Sequence, residues 1–82
     1  MDVTGWVISW FENNTDMKRK ELEEGVSQNY FEKGWIDSLS FISFIADIEE
    51  HFRIRFSNEE FHDRTFSTIE GITRIIEGKL NE

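Results

Sequence analysis

Apolar residues recur at helical spacing in three stretches of this chain, and irregular segments separate them. Val3, Trp6, Val7, Trp10 and Phe11 fall on one face, which predicts a first helix from about Val3 to Asn13. The cluster Asn13-Asn14-Thr15-Asp16 is turn chemistry and should end it. From Met17 to Gly34 the periodicity breaks down. Lys18 to Glu24 has the length for a short helical turn, which Gly25 interrupts. Val26, Tyr30, Phe31, Trp35 and Ile36 are isolated apolar anchors, so the stretch reads as a long ordered loop. A loop of that length in a compact domain usually serves a function.

A second helix is predicted from about Asp37 to His51. Asp37 is a good N-cap, because its carboxylate accepts from free N–H groups of the first turn and meets the positive end of the helix dipole. Phe41, Phe44, Ile45, Ile48 and Phe52 share one narrow arc and make the core face. Leu39, Ile42 and Ala46 form a separate apolar strip, which means either a helix buried on two sides or an exposed apolar patch. Arg53 to Phe56 alternates like a short extended connector. Ser57 with Glu60 has capping-box spacing for a short third helix that includes Phe61, and Ser67 with Glu70 repeats it. A last helix follows, with Ile69, Ile72, Ile76 and Leu80 on one face and Ile75 beside them. Gly71 costs this helix about 1 kcal/mol relative to Ala, and permits close approach of a neighbour. The expected fold is all-α: a small four-helix bundle in one domain over residues 1–82, with three main helices, one short third helix and a long first loop.

Composition narrows the chemistry. There is no Cys, so disulfides and thiolate metal sites are excluded, and any thioester needs a thiol from an added cofactor. Pro is absent and aromatics are plentiful, which suits a packed helical core. The net charge of -8 argues against nucleic acid and against anionic membrane surfaces, and favours basic protein partners. No apolar run approaches a membrane span, so no membrane insertion is expected. The start Met1-Asp2-Val3-Thr4-Gly5 has neither the basic nor the apolar region of a signal peptide, so the expected location is cytoplasmic. The expected state is a monomer.

The segment that carries chemistry is Gly34-Trp35-Ile36-Asp37-Ser38-Leu39. It presents a serine hydroxyl at a helix N-terminus, where local N–H groups and the dipole favour an anion such as a phosphodiester. Asp37 has two possible jobs there, capping the helix and helping an incoming enzyme and its Mg²⁺. Asp-Ser also serves as a plain cap at many helix starts. Other constellations are weaker. Glu12, Asn14, Asp16 and Glu23 have spacings like a calcium loop, but Met17 stands where the turn needs Gly. His51 suits the end of the second helix, and neither it nor His62 has a zinc-like partner set. Ser38, His51 and Asp63 have no spacing that supports a triad, and no catalytic residue or metal ligand is expected. The three Trp read as core and loop anchors.

Asp37-Ser38-Leu39, followed by Phe41-Ile42, Phe44-Ile45, Ile48-Glu49-Glu50 and Phe52-Arg53-Ile54, resembles the second helix of acyl carrier proteins. The resemblance extends to the long first loop, the short helix after Phe56-Ser57, and Thr65-Phe66-Ser67-Thr68-Ile69 leading into the last helix. It implies that Ser38 receives 4'-phosphopantetheine from coenzyme A through a phosphopantetheinyl transferase, with Asp37 as its acidic neighbour and Leu39 as the apolar contact after it. It implies partner contacts at Leu39, Ile42, Ala46, Asp47, Glu49 and Glu50. It also implies an acyl- or aminoacyl-activating ligase and a downstream acyltransferase or synthase, and a core stripe lining the space into which an acyl chain withdraws. The implied function is an acyl carrier, not an enzyme. Ser40 and Ser43 stand where the family commonly has acidic residues. That departure puts fatty-acid synthase partners in doubt and suggests a specialised lipid or secondary-metabolite pathway. Aminoacyl, D-alanyl or peptidyl carriage is the alternative, and a small helical interaction module is the reading from a different class.

Overall fold

The computed structural model describes residues 2–81. Helix α1 runs Val3–Asn14, α2 Arg19–Glu24, α3 Ser38–Phe52, α4 Asn58–Phe61 and α5 Ile69–Leu80, with a 3₁₀ turn at Arg64–Ser67 before α5. The architecture is all-α, with no strand among the described residues. The three long helices and the short α4 stand where the sequence periodicity puts them. The helical turn between Lys18 and Glu24 forms as α2. Its Arg19 ties it to α1, donating to Ser9 Oγ at 2.7 Å and pairing with Glu12 at 2.9 Å.

The core gathers Val7, Phe11, Leu22, Tyr30, Phe44, Ile48, Phe66, Ile69, Ile72 and Ile76, all essentially inaccessible to solvent. Ile8 joins it although it lies off the arc read from the sequence, because α1 packs against both α2 and α5. Phe41 is partly buried, and Leu80 at the end of α5 is exposed. Rings fill the centre: Phe44 lies 4.6 Å from Trp10 and 5.2 Å from Phe11 between centroids. Phe66 lies 5.0 Å from both Phe56 and Phe61. Such contacts are worth about 0.5–1.5 kcal/mol per pair beyond burial.

One end-of-helix assignment is corrected and one gains a contact. The box read at Ser67 and Glu70 does not form, because the 3₁₀ turn continues through Ser67. Thr68 caps α5 instead, its Oγ1 accepting from Gly71 N at 2.9 Å. His51 lies in the last turn of α3 as expected, and its ring also stacks on Trp6 with centroids 5.0 Å apart. The helix ends at Phe52, and Arg53 after it takes a left-handed backbone with φ 56°.

Candidate functional site

The approach to Ser38 is built from the long loop, and main-chain hydrogen bonds hold that loop. Tyr30 N donates to Ser67 O at 2.9 Å, and Glu70 N donates to Val26 O at 2.9 Å, so two points are tied to the 3₁₀ turn and to α5. Inside the core, the Tyr30 hydroxyl donates to the Phe66 carbonyl. Burial pushes that phenol well above its ordinary range, so it stays a donor.

The final turn before the helix is organised by Asn29. Its side-chain oxygen accepts from Phe31 N at 2.9 Å and Glu32 N at 3.0 Å, an Asx turn. Gly34 then takes φ 72°, a left-handed conformation that glycine adopts without strain, and Trp35 N returns to Tyr30 O at 2.9 Å. Trp35 packs its ring over Gly25, where an added Cβ would sit 2.5 Å from the indole. Ile36 is buried. The chain is therefore gripped up to the residue before Asp37.

At that point α3 begins. The Asp37 carboxylate accepts from Ser40 N at 2.8 Å, and Asp37 O accepts from Phe41 N at 2.9 Å. The Ser40 N–H, with further help from the first turn, holds the Asp37 carboxyl below the usual carboxylate range although it is exposed. Ser38 is the first residue of the helix and is exposed to solvent. An open groove of about 520 Å³ lies beside it, lined by Met17, Trp35, Asp37 and Ser40 among others.

Leu39 is 79% exposed and Ile42 65% exposed, and Ala46 is also exposed. The second apolar strip is thus a surface ridge, not a second buried side. Glu50 is exposed next to it. Asp47 turns the other way and accepts from Trp10 Nε1 at 2.8 Å, fastening α3 to α1. Glu49 is half-buried, accepting from Phe56 N at 3.0 Å and pairing with Arg55 at 3.8 Å, so it pins the connector after α3. An apolar groove of about 310 Å³ lies between α3 and α4, walled by Phe41, Ile42, Ile45, Ala46 and Phe61. Sequence reasoning missed this groove because α4 supplies one wall. No group of three or more His, Cys, Asp or Glu side chains forms a metal site among the described residues.

A family model described as "Phosphopantetheine attachment site" matches residues 12–76, most of the chain. This protein belongs to the phosphopantetheine-attachment family. It is a carrier domain that takes 4'-phosphopantetheine covalently, and such carriers work with phosphopantetheinyl transferases and with the enzymes of their pathways. No curated protein and no solved structure matches the chain. Among the described residues of the carrier, no helix is long and apolar enough to cross a membrane.

Proposed function

We propose that Ser38 takes the arm, and that residues 1–82 act as one acyl carrier unit in a specialised lipid or secondary-metabolite pathway. The observation that carries this reading is the placing of one exposed serine hydroxyl at the start of α3, within the matched region, just after a loop gripped by Trp35 and Ile36. In the transfer, the Ser38 oxygen forms an ester with the phosphate that bears the pantetheine. The phosphoanhydride bond of coenzyme A breaks, the adenosine bisphosphate leaves, and the hydroxyl proton passes to a base of the transferase. With no Cys of its own, the chain uses the thiol of the arm for every thioester. The protein makes and breaks no bonds in the cargo. Tethering raises the cargo's effective concentration at each enzyme it visits.

An activating ligase would load the thiol and an acyltransferase or synthase would unload it, with α3 as the face they meet. Leu39, Ile42, Ala46 and Glu50 stand outward on that face; Asp47 and Glu49 contribute through the packing they hold. The apolar groove between α3 and α4 supports an acyl cargo. It runs along the same side of α3 as Ser38, since Ser38, Phe41, Ile42, Ile45 and Glu49 follow helical spacing. A second reading, aminoacyl, D-alanyl or peptidyl cargo, is favoured by the ring-filled interior, which leaves little space for an alkyl chain.

Intact mass after incubation with coenzyme A and a phosphopantetheinyl transferase tests the assignment. The wild-type chain should gain one arm and Ser38→Ala none. A gain that persists in Ser38→Ala would move the site elsewhere, and no gain with several active transferases would leave the chain an interaction module. The mass of the protein isolated from its host with cargo attached decides between the cargo classes.

A further inference from the structure

Among the described residues, no main-chain hydrogen bond ties Ile36, Asp37, Ser38 or Leu39 to another element. Side chains alone hold the stretch that delivers Ser38. Ile36 is buried in the core, and Trp35, three residues before the serine, is half-buried against Gly25 at the end of α2. Gly34, just before the indole, gives no support, with nothing within 4 Å of where a Cβ would stand.

Gly25 is the informative partner. Its φ is -108°, a negative value that needs no glycine, and any residue but proline could donate its N–H to Glu21 O at 3.0 Å and Leu22 O at 3.2 Å. What glycine supplies here is space. A Cβ would stand 2.5 Å from Cη2 and 3.1 Å from Cζ2 of the Trp35 indole, and 3.1 Å from Glu21 O. The closest of these is the far edge of the indole, so the missing side chain makes a notch for that ring. The notch itself is fastened, because Leu22 of α2 is buried and Arg19 bonds to Ser9 and Glu12 of α1. A line of contact therefore runs from α1 through α2 and Gly25 to Trp35. Two residues on stands Asp37, whose carboxylate caps α3 through Ser40 N.

We propose that Gly25 and Trp35 are a positioning pair for phosphopantetheine transfer: the indole seated in the Gly25 notch holds Asp37 and the first turn of α3, and so presents the Ser38 hydroxyl in one geometry. This rests on the carrier reading given above. Neither residue touches the transferred group. They act through Asp37 and Ser38, by restricting where the nucleophile stands before the transferase meets it.

Two measurements test the pair: steady-state loading of the full chain by an active phosphopantetheinyl transferase with coenzyme A saturating, and amide exchange at Ser40, which needs no enzyme. Gly25→Ala should lower kcat about tenfold and leave KM within about twofold, because a misplaced nucleophile is felt in the transfer step and not in the encounter. Trp35→Phe removes the ring edge and leaves a gap, and should lower kcat about threefold. The double variant should lose no more than Trp35→Phe alone, because the smaller ring admits the new Cβ. Ser40 exchange should speed up relative to α1 in Gly25→Ala and return toward wild type in the double variant. Ile76→Val, a core truncation in α5, controls for lost stability and should leave kcat and the relative Ser40 exchange unchanged. A double variant with the losses of both singles multiplied, a KM that rises while kcat holds, or a Ser40 exchange that no variant alters overturns the proposal while loading of the wild-type chain still upholds the carrier reading. Should Gly25→Ala fail to fold, an unchanged kcat in Trp35→Phe overturns it and a lowered one supports it. Failure of the wild-type chain to load would count against the carrier reading itself, and Ser40 exchange would still decide whether the pair holds the start of α3.

Discussion

At the scale of single residues, three positions carry most of the local design. Ser38 is exposed and first in its helix, so Ser38→Ala should abolish loading and leave the melting temperature almost unchanged, as surface substitutions usually do. Arg53 is the one non-glycine residue with positive φ among the described residues. Arg53→Gly should stabilise the fold by about 0.5–1 kcal/mol, read as a higher urea midpoint with unchanged slope; a loss of stability would mean that the side chain packs more than its exposure suggests. Gly71 has the opposite constraint. A Cβ there would run into the Thr65 carbonyl in the 3₁₀ turn, and that obstacle is backbone. Gly71→Ala should destabilise by about 1–3 kcal/mol despite alanine's better helix propensity, and an unchanged urea midpoint would contradict the close approach. The cap at Thr68 shows the limit of local reading. Ser67 and Thr68 both precede the helix with a usable hydroxyl, and only the length of the preceding turn selects between them.

At the scale of elements, the long loop behaves as a structured arm clamped onto the start of α5. Its main-chain bonds to Ser67 and from Glu70, and the Tyr30 hydroxyl on the Phe66 carbonyl, connect parts of the chain about forty residues apart. Tyr30→Phe keeps the ring but leaves a buried carbonyl unpaired, and should cost about 1–3 kcal/mol. Because the same loop delivers Ser38, its amide exchange from Trp35 to Leu39 should speed up in that variant more than exchange in α1; equal acceleration everywhere would mean the loop is not a separate unit. A second tie, Lys79 to Glu60 at 2.9 Å between partly buried side chains, holds α4 against α5. The apolar wall that Phe61 gives to the groove along α3 depends on that position.

At the scale of the whole molecule, charge and titration act together. Asp37 and Asp63 are held below the ordinary carboxylate range by N–H donors of the turns they begin. Burial would raise Glu60, yet the Ser57 N–H and Lys79 hold it low as well. Carboxyls depressed in the folded state stabilise it above the unfolded pKa, and that stabilisation is lost as pH falls through the folded value. Stability should therefore be flat from about pH 7 to 5 and drop below about 4, seen as a falling melting temperature. Tyr30 sets the other limit: its buried neutral phenol contributes stability that is complete below the ordinary phenol value and is lost as pH rises past about 10. A melting temperature that stayed level down to pH 2 would remove the acid part of this account.

The positions of α1, α3, α4 and α5, the cap at Asp37 and the candidacy of Ser38 were all legible in the chain itself, since helical periodicity and capping chemistry are local properties. The resemblance carried by Asp37-Ser38-Leu39 and the helix order around it was legible for the same reason. Whether Leu39, Ile42 and Ala46 were buried or bare was not, because an apolar strip has the same sequence either way. Its exposure depends on which helices arrive beside it. Tertiary packing alone turned Asp47 toward Trp10, spent Glu49 on the connector, stacked His51 on Trp6 and closed the apolar groove with Phe61. Three of these pair residues distant in sequence, Glu49 reaches across the break that follows α3, and only the folded arrangement sets such distances.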